Sequence, residues 1–284
     1  MNRSRGLLPR TRRQDRNPTN GNGARLLSRL GMATKINGPL TRREKSVLVG
    51  LYLSKFDFEG LQRLGFSSFI EAYNVVGSAL GVRPASLKNY RDEFDPLFPN
   101  KRKGWHKRAI RGYCAAVYKS FGSLNLNEFT ALIKQAVYKD RDLDELEEEV
   151  DRTEGQDCSF AKRLMTGQAA EQYFRAVYRQ ISLFKDLDLE DTTKIGCGFD
   201  FKLFSSDVFY GVEVKGLSEQ SGSIALTSKE HAVASIMTSR FFLFVVKNFK
   251  ENPFHELYQD PLDGKLIFNK VEQKTIQVSW TAKI

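Results

Sequence analysis

Apolar positions recur with two different periods along the chain, and the change of period divides it. From Thr41 to about Lys139 the spacing is helical. Glu44–Leu53 and Phe66–Val76 place their apolar residues three and four apart, as the buried stripe of a helix requires. From Cys158 the pattern changes. One long helix is predicted over Phe160–Ile181, with Phe160, Leu164, Ala170, Phe174, Val177, Tyr178 and Ile181 on its buried face. Short runs of strand character follow at Gly198–Phe204, Phe209–Leu217, Ser223–Leu226, Arg240–Val246, Lys265–Phe268 and Thr275–Ser279, with a helix over Ser228–Met237 between them. This order predicts an α/β C-terminal domain, a mixed central sheet flanked by helices whose first strands pair as a meander. An all-α N-terminal domain precedes it. The expected divisions are a basic tail over 1–40, a helical domain over 41–139, an acidic linker helix over 140–157 and the α/β domain over 158–284.

Within the helical part, Val75–Val82 leads through Gly81 into Arg83–Phe94, where Pro84 suits the first turn of a second helix. Two helices joined by a tight turn predict a helix-turn-helix. Its second helix would present Arg83, Ser86, Lys88, Asn89 and Arg91 to phosphates or base edges of double-stranded DNA. The run Asn100–Arg111 adds Lys101, Arg102, Lys103, Lys107 and Arg108, and the stretch 83–111 carries nine bases against three acids. An ordinary helical bundle with a solvated basic loop would carry the same residues.

Charge is unevenly spread. The net charge is +10, and before Met32 eight arginines face only Asp15. That stretch is too poor in apolar residues to build a core. It reads as a phosphate-gripping arm, as translated upstream sequence with Met32 the true start, or as an Arg-rich transit peptide. Between 139 and 157 ten acids oppose three bases, the pattern of a solvated helix face rather than of a calcium loop. Cys114, Cys158 and Cys197 are scattered, which argues against a disulfide framework or a zinc site and suits a reducing cytosol. No apolar run reaches the ~20 residues of a membrane span. No Gly-x-x-x-x-Gly-Lys-Ser/Thr loop is present, so any nucleotide-driven motion would need a partner. His106, His231 and His255 are isolated in sequence, and His231 reads as a surface or capping residue.

The chemistry concentrates in Phe209–Leu217. Val212 and Val214 alternate with Glu213 and Lys215, so a strand puts the acid and the amine on one face. Asp200 lies in the strand-like run before it, and Glu171 on the preceding helix is able to reach the same place. Mg²⁺ prefers oxygen ligands and keeps several waters, so Asp200, Glu213 and the Val214 carbonyl would supply its protein share. Lys215 would orient a water or offset charge developing on a phosphate. The bland alternative is an exposed Glu-Lys pair of little energetic weight.

The order Glu171, Asp200, Glu213-Val-Lys215 resembles the PD-(D/E)XK nuclease superfamily, whose fold is restriction-endonuclease-like. Glu213-Val-Lys-Gly-Leu217, Ser223–Glu230 and Arg240–Val246 look like the "protein NO VEIN C-terminal" domain family. The resemblance spans roughly Ala161–Phe249. It implies that Asp200 and Glu213 are metal ligands, Lys215 the catalytic lysine, Glu171 an optional helix acid and Glu230 a family-typical position without an assigned role. Gly198-Phe precedes Asp200 where the superfamily often has proline. The implied activity is that of an Mg²⁺-dependent DNA endonuclease, expected to be a type II restriction enzyme working as a homodimer beside a companion DNA methyltransferase. The alternatives are a non-catalytic DNA-binding regulator, an RNA-processing nuclease with the same carboxylates, and a partner-binding protein in which Glu213 and Lys215 form a plain surface pair.

Overall fold

The computed structural model describes residues 40–102, 104, 108–137 and 157–271, all within one compact unit, Leu40–Ile284. The tail before Leu40, most of the expected acidic linker and the expected strand Thr275–Ser279 lie outside the described residues.

The N-terminal part is helical. Helix α1 (Arg42–Arg63) opens on a reciprocal cap in which the Thr41 hydroxyl accepts the Glu44 N–H and the Glu44 carboxylate accepts the Thr41 N–H. It is interrupted at Asp57, whose φ is 47°. Helices α2 (Phe69–Ala79) and α3 (Pro84–Phe94) follow, then α4 (Gly112–Phe121) and α5 (Leu126–Val137). Leu48, Leu51, Tyr52, Phe94 and Phe129 fill their common core. The predicted turn between α2 and α3 is present, with Gly81 at φ 64° ending the first helix and Pro84 opening the second.

The C-terminal part is a five-stranded mixed sheet with helices, an α/β arrangement. Helix α6 (Asp157–Val177) passes through a 3-10 turn at Tyr178–Gln180 into β1 (Asp188–Asp191), β2 (Phe201–Phe204) and β3 (Phe209–Gly216). Helix α7 (Ser228–Met237) then carries the chain to β4 (Phe241–Lys247), and β5 (Phe254–Gln259) closes the order β1-β2-β3-β4-β5. All neighbours are antiparallel except β3 and β4, the parallel pair that needs a crossover. Phe241–Val246 is buried at every position, as a central strand covered on both faces must be.

Two expected strands are not strands. Ser223–Leu226 and Lys265–Phe268 run as irregular chain, whereas β1 and β5, unforeseen, form the two edges. The helical and sheet parts share polar contacts. Asn74 on α2 donates to the carbonyls of Phe249 and Glu251 at 2.9 and 2.8 Å, and Lys162 on α6 meets Glu71 on α2 at 2.6 Å. Among the described residues no helix is long and apolar enough to cross a membrane.

Candidate active site

The two faces of β3 carry different layers. A Cβ at Gly216 would come within 2.7 Å of the Thr166 carbonyl and 3.1 Å of the Ala170 Cβ, so the face shared by Val212, Val214 and Gly216 lies against α6. The opposite face, bearing Gly211, Glu213 and Lys215, looks toward α7, where a Cβ on Gly211 would meet the Met237 Cε at 3.1 Å.

The β2–β3 ladder ends at Phe201 opposite Val212, and the chain bends away at Asp200. The Asp200 N–H still donates to the Val212 carbonyl at 3.0 Å, and its own carbonyl accepts the Thr192 N–H at 3.0 Å. One oxygen of its carboxylate accepts the Val214 N–H at 2.9 Å, taking the place of a strand neighbour. Gly198, at φ 97°, makes this bend possible, since a Cβ there would lie 2.7 Å from the Val233 side chain. Along a strand a residue's N–H and C=O point the same way, so the Val214 carbonyl faces the same open edge, beside the Asp200 carboxylate.

Glu213 is only 4% exposed. The Lys215 ammonium sits 2.6 Å from one Glu213 oxygen and 2.8 Å from Glu230, on the first turn of α7. Glu171, 7% exposed on α6, adds its charge from the other layer and bears on Asp200. The structure thus gathers Asp200, Glu213, Lys215 and, from farther back, Glu171. It adds Glu230, for which the sequence alone suggested no role.

Electrostatics distinguish this cluster. Burial, then the Glu171 charge, push the Asp200 carboxyl from 3.8 up to about 6, against the opposing Val214 N–H bond. Burial and the neighbouring Asp200 hold the Glu213 carboxyl well above the usual range. Burial would lower the Lys215 ammonium, but the Glu213 and Glu230 carboxylates outweigh it and raise it. Two desolvated acids side by side are an arrangement that a small, hard cation relieves. Among the described residues no group of three or more His, Cys, Asp or Glu is drawn together to hold a metal ion. The donors here that could hold such a cation are the Asp200 and Glu213 carboxylates and the Val214 carbonyl, with water completing the shell.

The expected DNA-contacting residues fare differently. Arg91 is buried, its guanidinium 4.8 Å from the Phe69 ring centre and 2.9 Å from Asp92. Arg102 holds both oxygens of Asp95 and reaches Asp57 at 2.6 Å. Arg108 grips Glu93 at 2.7 Å, and Lys88 pairs with Asp92 at 2.8 Å. These side chains neutralise the acids at the end of α3, so they do not form a free basic face. Arg83, Asn89 and Lys101 are exposed and Ser86 is half-buried, while Lys103 and Lys107 lie outside the described residues. His255, isolated in sequence, stacks on Phe244 with ring centres 4.7 Å apart. His231 is exposed on α7.

Residues 169–259 match the family described as Protein NO VEIN, C-terminal. The matched stretch begins within α6 and ends with β5, so it contains Glu171, Asp200, Glu213, Lys215 and Glu230. No curated protein and no solved structure matches the chain.

Proposed function

We propose that this chain is an Mg²⁺-dependent nuclease of the PD-(D/E)XK type with a restriction-endonuclease-like fold, hydrolysing phosphodiester bonds of DNA. The observation that carries the reading is a carboxylate pair at an open strand edge, Glu213 buried and Asp200 half-buried, with an ammonium held against Glu213. Structural ion pairs lower a carboxyl's pKa, whereas this pair is raised, as it is at many reactive sites.

In the proposed reaction the oxygen of a water bonds to phosphorus while the bond from phosphorus to a sugar oxygen breaks. A divalent cation at Asp200, Glu213 and the Val214 carbonyl would polarise the phosphate and ease ionisation of the water. Lys215 stands next to this position and supplies positive charge where negative charge develops on the phosphoryl oxygens. Glu171 lies behind Asp200 and tunes its charge from the α6 side. Cutting both strands of a duplex favours a homodimer, because a two-fold assembly aims one site at each strand. A restriction role beside a companion methyltransferase in the cytoplasm remains the preferred setting. With Arg91, Arg102 and Arg108 committed to acids, the described residues left for duplex contacts from the helical part are Arg83, Ser86, Lys88, Asn89 and Lys101.

The test is incubation of the full chain with Mg²⁺ and supercoiled plasmid, alongside Lys215→Ala, a chelator control and a structured RNA. Nicked or linear plasmid with the wild type alone is expected. Equal plasmid integrity for wild type, variant and buffer would refute the DNA nuclease reading. RNA cut in preference to plasmid would move the substrate to RNA.

A further inference from the structure

Lys215 has two carboxylate partners, and they differ in kind. Glu213, at 2.6 Å, is one of the two acids placed to hold a cation. Glu230, at 2.8 Å, is held by a helix cap. It occupies the third position of α7, where its N–H donates to the Thr227 hydroxyl at 3.2 Å. The same Glu230 oxygen that accepts Lys215 also accepts the Thr227 N–H, at 3.0 Å. A helix cap by itself needs only this reciprocal pair. Here the cap also anchors an amine reaching across from a strand. An ammonium has three donors, so it can keep one carboxylate while releasing another.

We infer that Glu230 is a positioning residue for Lys215: the first turn of α7 keeps the ammonium beside the reacting phosphate when Glu213 turns its oxygens to the cation. This rests on the nuclease reading above and deepens it. Without Glu230, Lys215 is left with Glu213 as its carboxylate partner and competes with the cation for it. Thr227 contributes only through the cap, which gives a control: Thr227→Ala loosens the helix start but leaves the Glu230 carboxylate in place.

The test is calorimetric titration of the full chain with Mn²⁺ alone, without nucleic acid, on the wild type, Glu230→Gln, Lys215→Ala, the double variant and Thr227→Ala. Steady-state cleavage runs in parallel, and circular dichroism verifies folding. Glu230→Gln is expected to weaken Mn²⁺ binding about tenfold, the scale on which outer partners of metal ligands act. It is expected to change nothing further in the Lys215→Ala background. Turnover should fall with the KM for DNA unchanged, and Thr227→Ala should bind Mn²⁺ like the wild type. An unchanged affinity for Glu230→Gln would overturn the inference alone, as would an equal loss with and without Lys215. A wild type that binds no Mn²⁺ would overturn the nuclease reading and this inference with it.

Discussion

Buried carboxylates occur in both parts of the molecule, and the two parts treat them oppositely. In the helical part each is answered by cations and donors. Glu93 takes Arg108 and Arg111, Asp95 takes Arg102 and the Ser54 hydroxyl, and Glu71 takes Lys162 and Ser67. The carboxyls of Glu93 and Glu71 accordingly lie below the usual range, the bonds from these partners outweighing the effect of burial. In the sheet part Glu213 and Glu230 share one lysine, Asp200 and Glu171 add their charges nearby, and the Asp200 and Glu213 carboxyls lie above the usual range. Burial is common to both regions, so burial does not mark a site. The marker is negative charge that the fold gathers without enough positive charge to offset it, which costs stability and is kept where function uses it.

The sharpest way to break this comparison is to remove the charge on one side and then on the other. Glu213→Gln is expected to lower DNA cleavage by about three orders of magnitude, the scale of losing a key electrostatic group, with no loss of thermal stability. A melting curve and a cleavage time course on the same preparation check it. Glu93→Gln should do the reverse. It leaves Arg108 and Arg111 facing a neutral amide and should cost about 2 kcal/mol, below the full cost of breaking a buried pair because both arginines are partly exposed. Denaturant unfolding measures this, and cleavage per folded molecule should persist.

Asp200→Asn tests the sign of the raised carboxyl. A group whose folded pKa exceeds its unfolded one binds protons more tightly when folded, so its contribution is full at low pH and is lost as pH rises. Between 3.8 and about 6 the wild type should therefore lose stability relative to Asp200→Asn. Without metal the variant should melt higher at pH 7, and the two should converge below pH about 4. Added Mg²⁺ should raise the wild type alone. The smallest effect is expected at α3. Arg83→Ala with Asn89→Ala should change stability by less than about 0.5 kcal/mol, since both are exposed. If α3 meets DNA, the salt dependence of binding should flatten by about one unit of slope, because one phosphate-binding charge is removed.

The placement of Glu213 and Lys215 together is legible in the sequence because β3 is regular. Alternating Val212 and Val214 with Glu213 and Lys215 forces the two charges onto one face whatever surrounds them. The long α6 and the apolar β4 are legible for the same reason. The sheet edges are not. β1 is Asp-Leu-Glu-Asp and β5 carries His255, Glu256 and Gln259, so neither shows an apolar alternation. Their pairing with β2 and β4 is a long-range choice that local pattern does not encode. Ser223–Leu226 has the alternation of a strand, but the chain between β3 and α7 gives it no neighbour to pair with. Arg91 shows the same limit on a helix. Its spacing suits a groove-facing side chain, but α2 brings Phe69 and Tyr73 under its guanidinium, a contact visible only once the helices are packed. Glu230 was visible as a residue but not as a partner of Lys215, fifteen positions away.

The joint between α2 and α6 bears on how the protein can be cut and recombined. The stretch matching the family starts at residue 169, yet Thr166, whose carbonyl lies against Gly216 of β3, precedes it. Lys162, one turn earlier, is tied to Glu71, and Phe249 after β4 hands its carbonyl to Asn74. A fragment trimmed to the matched stretch would lose the turn that braces the Lys215 strand and leave a carbonyl built for Asn74 without its donor. Grafting this centre onto another scaffold therefore means taking α2 along with it, and the natural unit of exchange is larger than the recognisable motif.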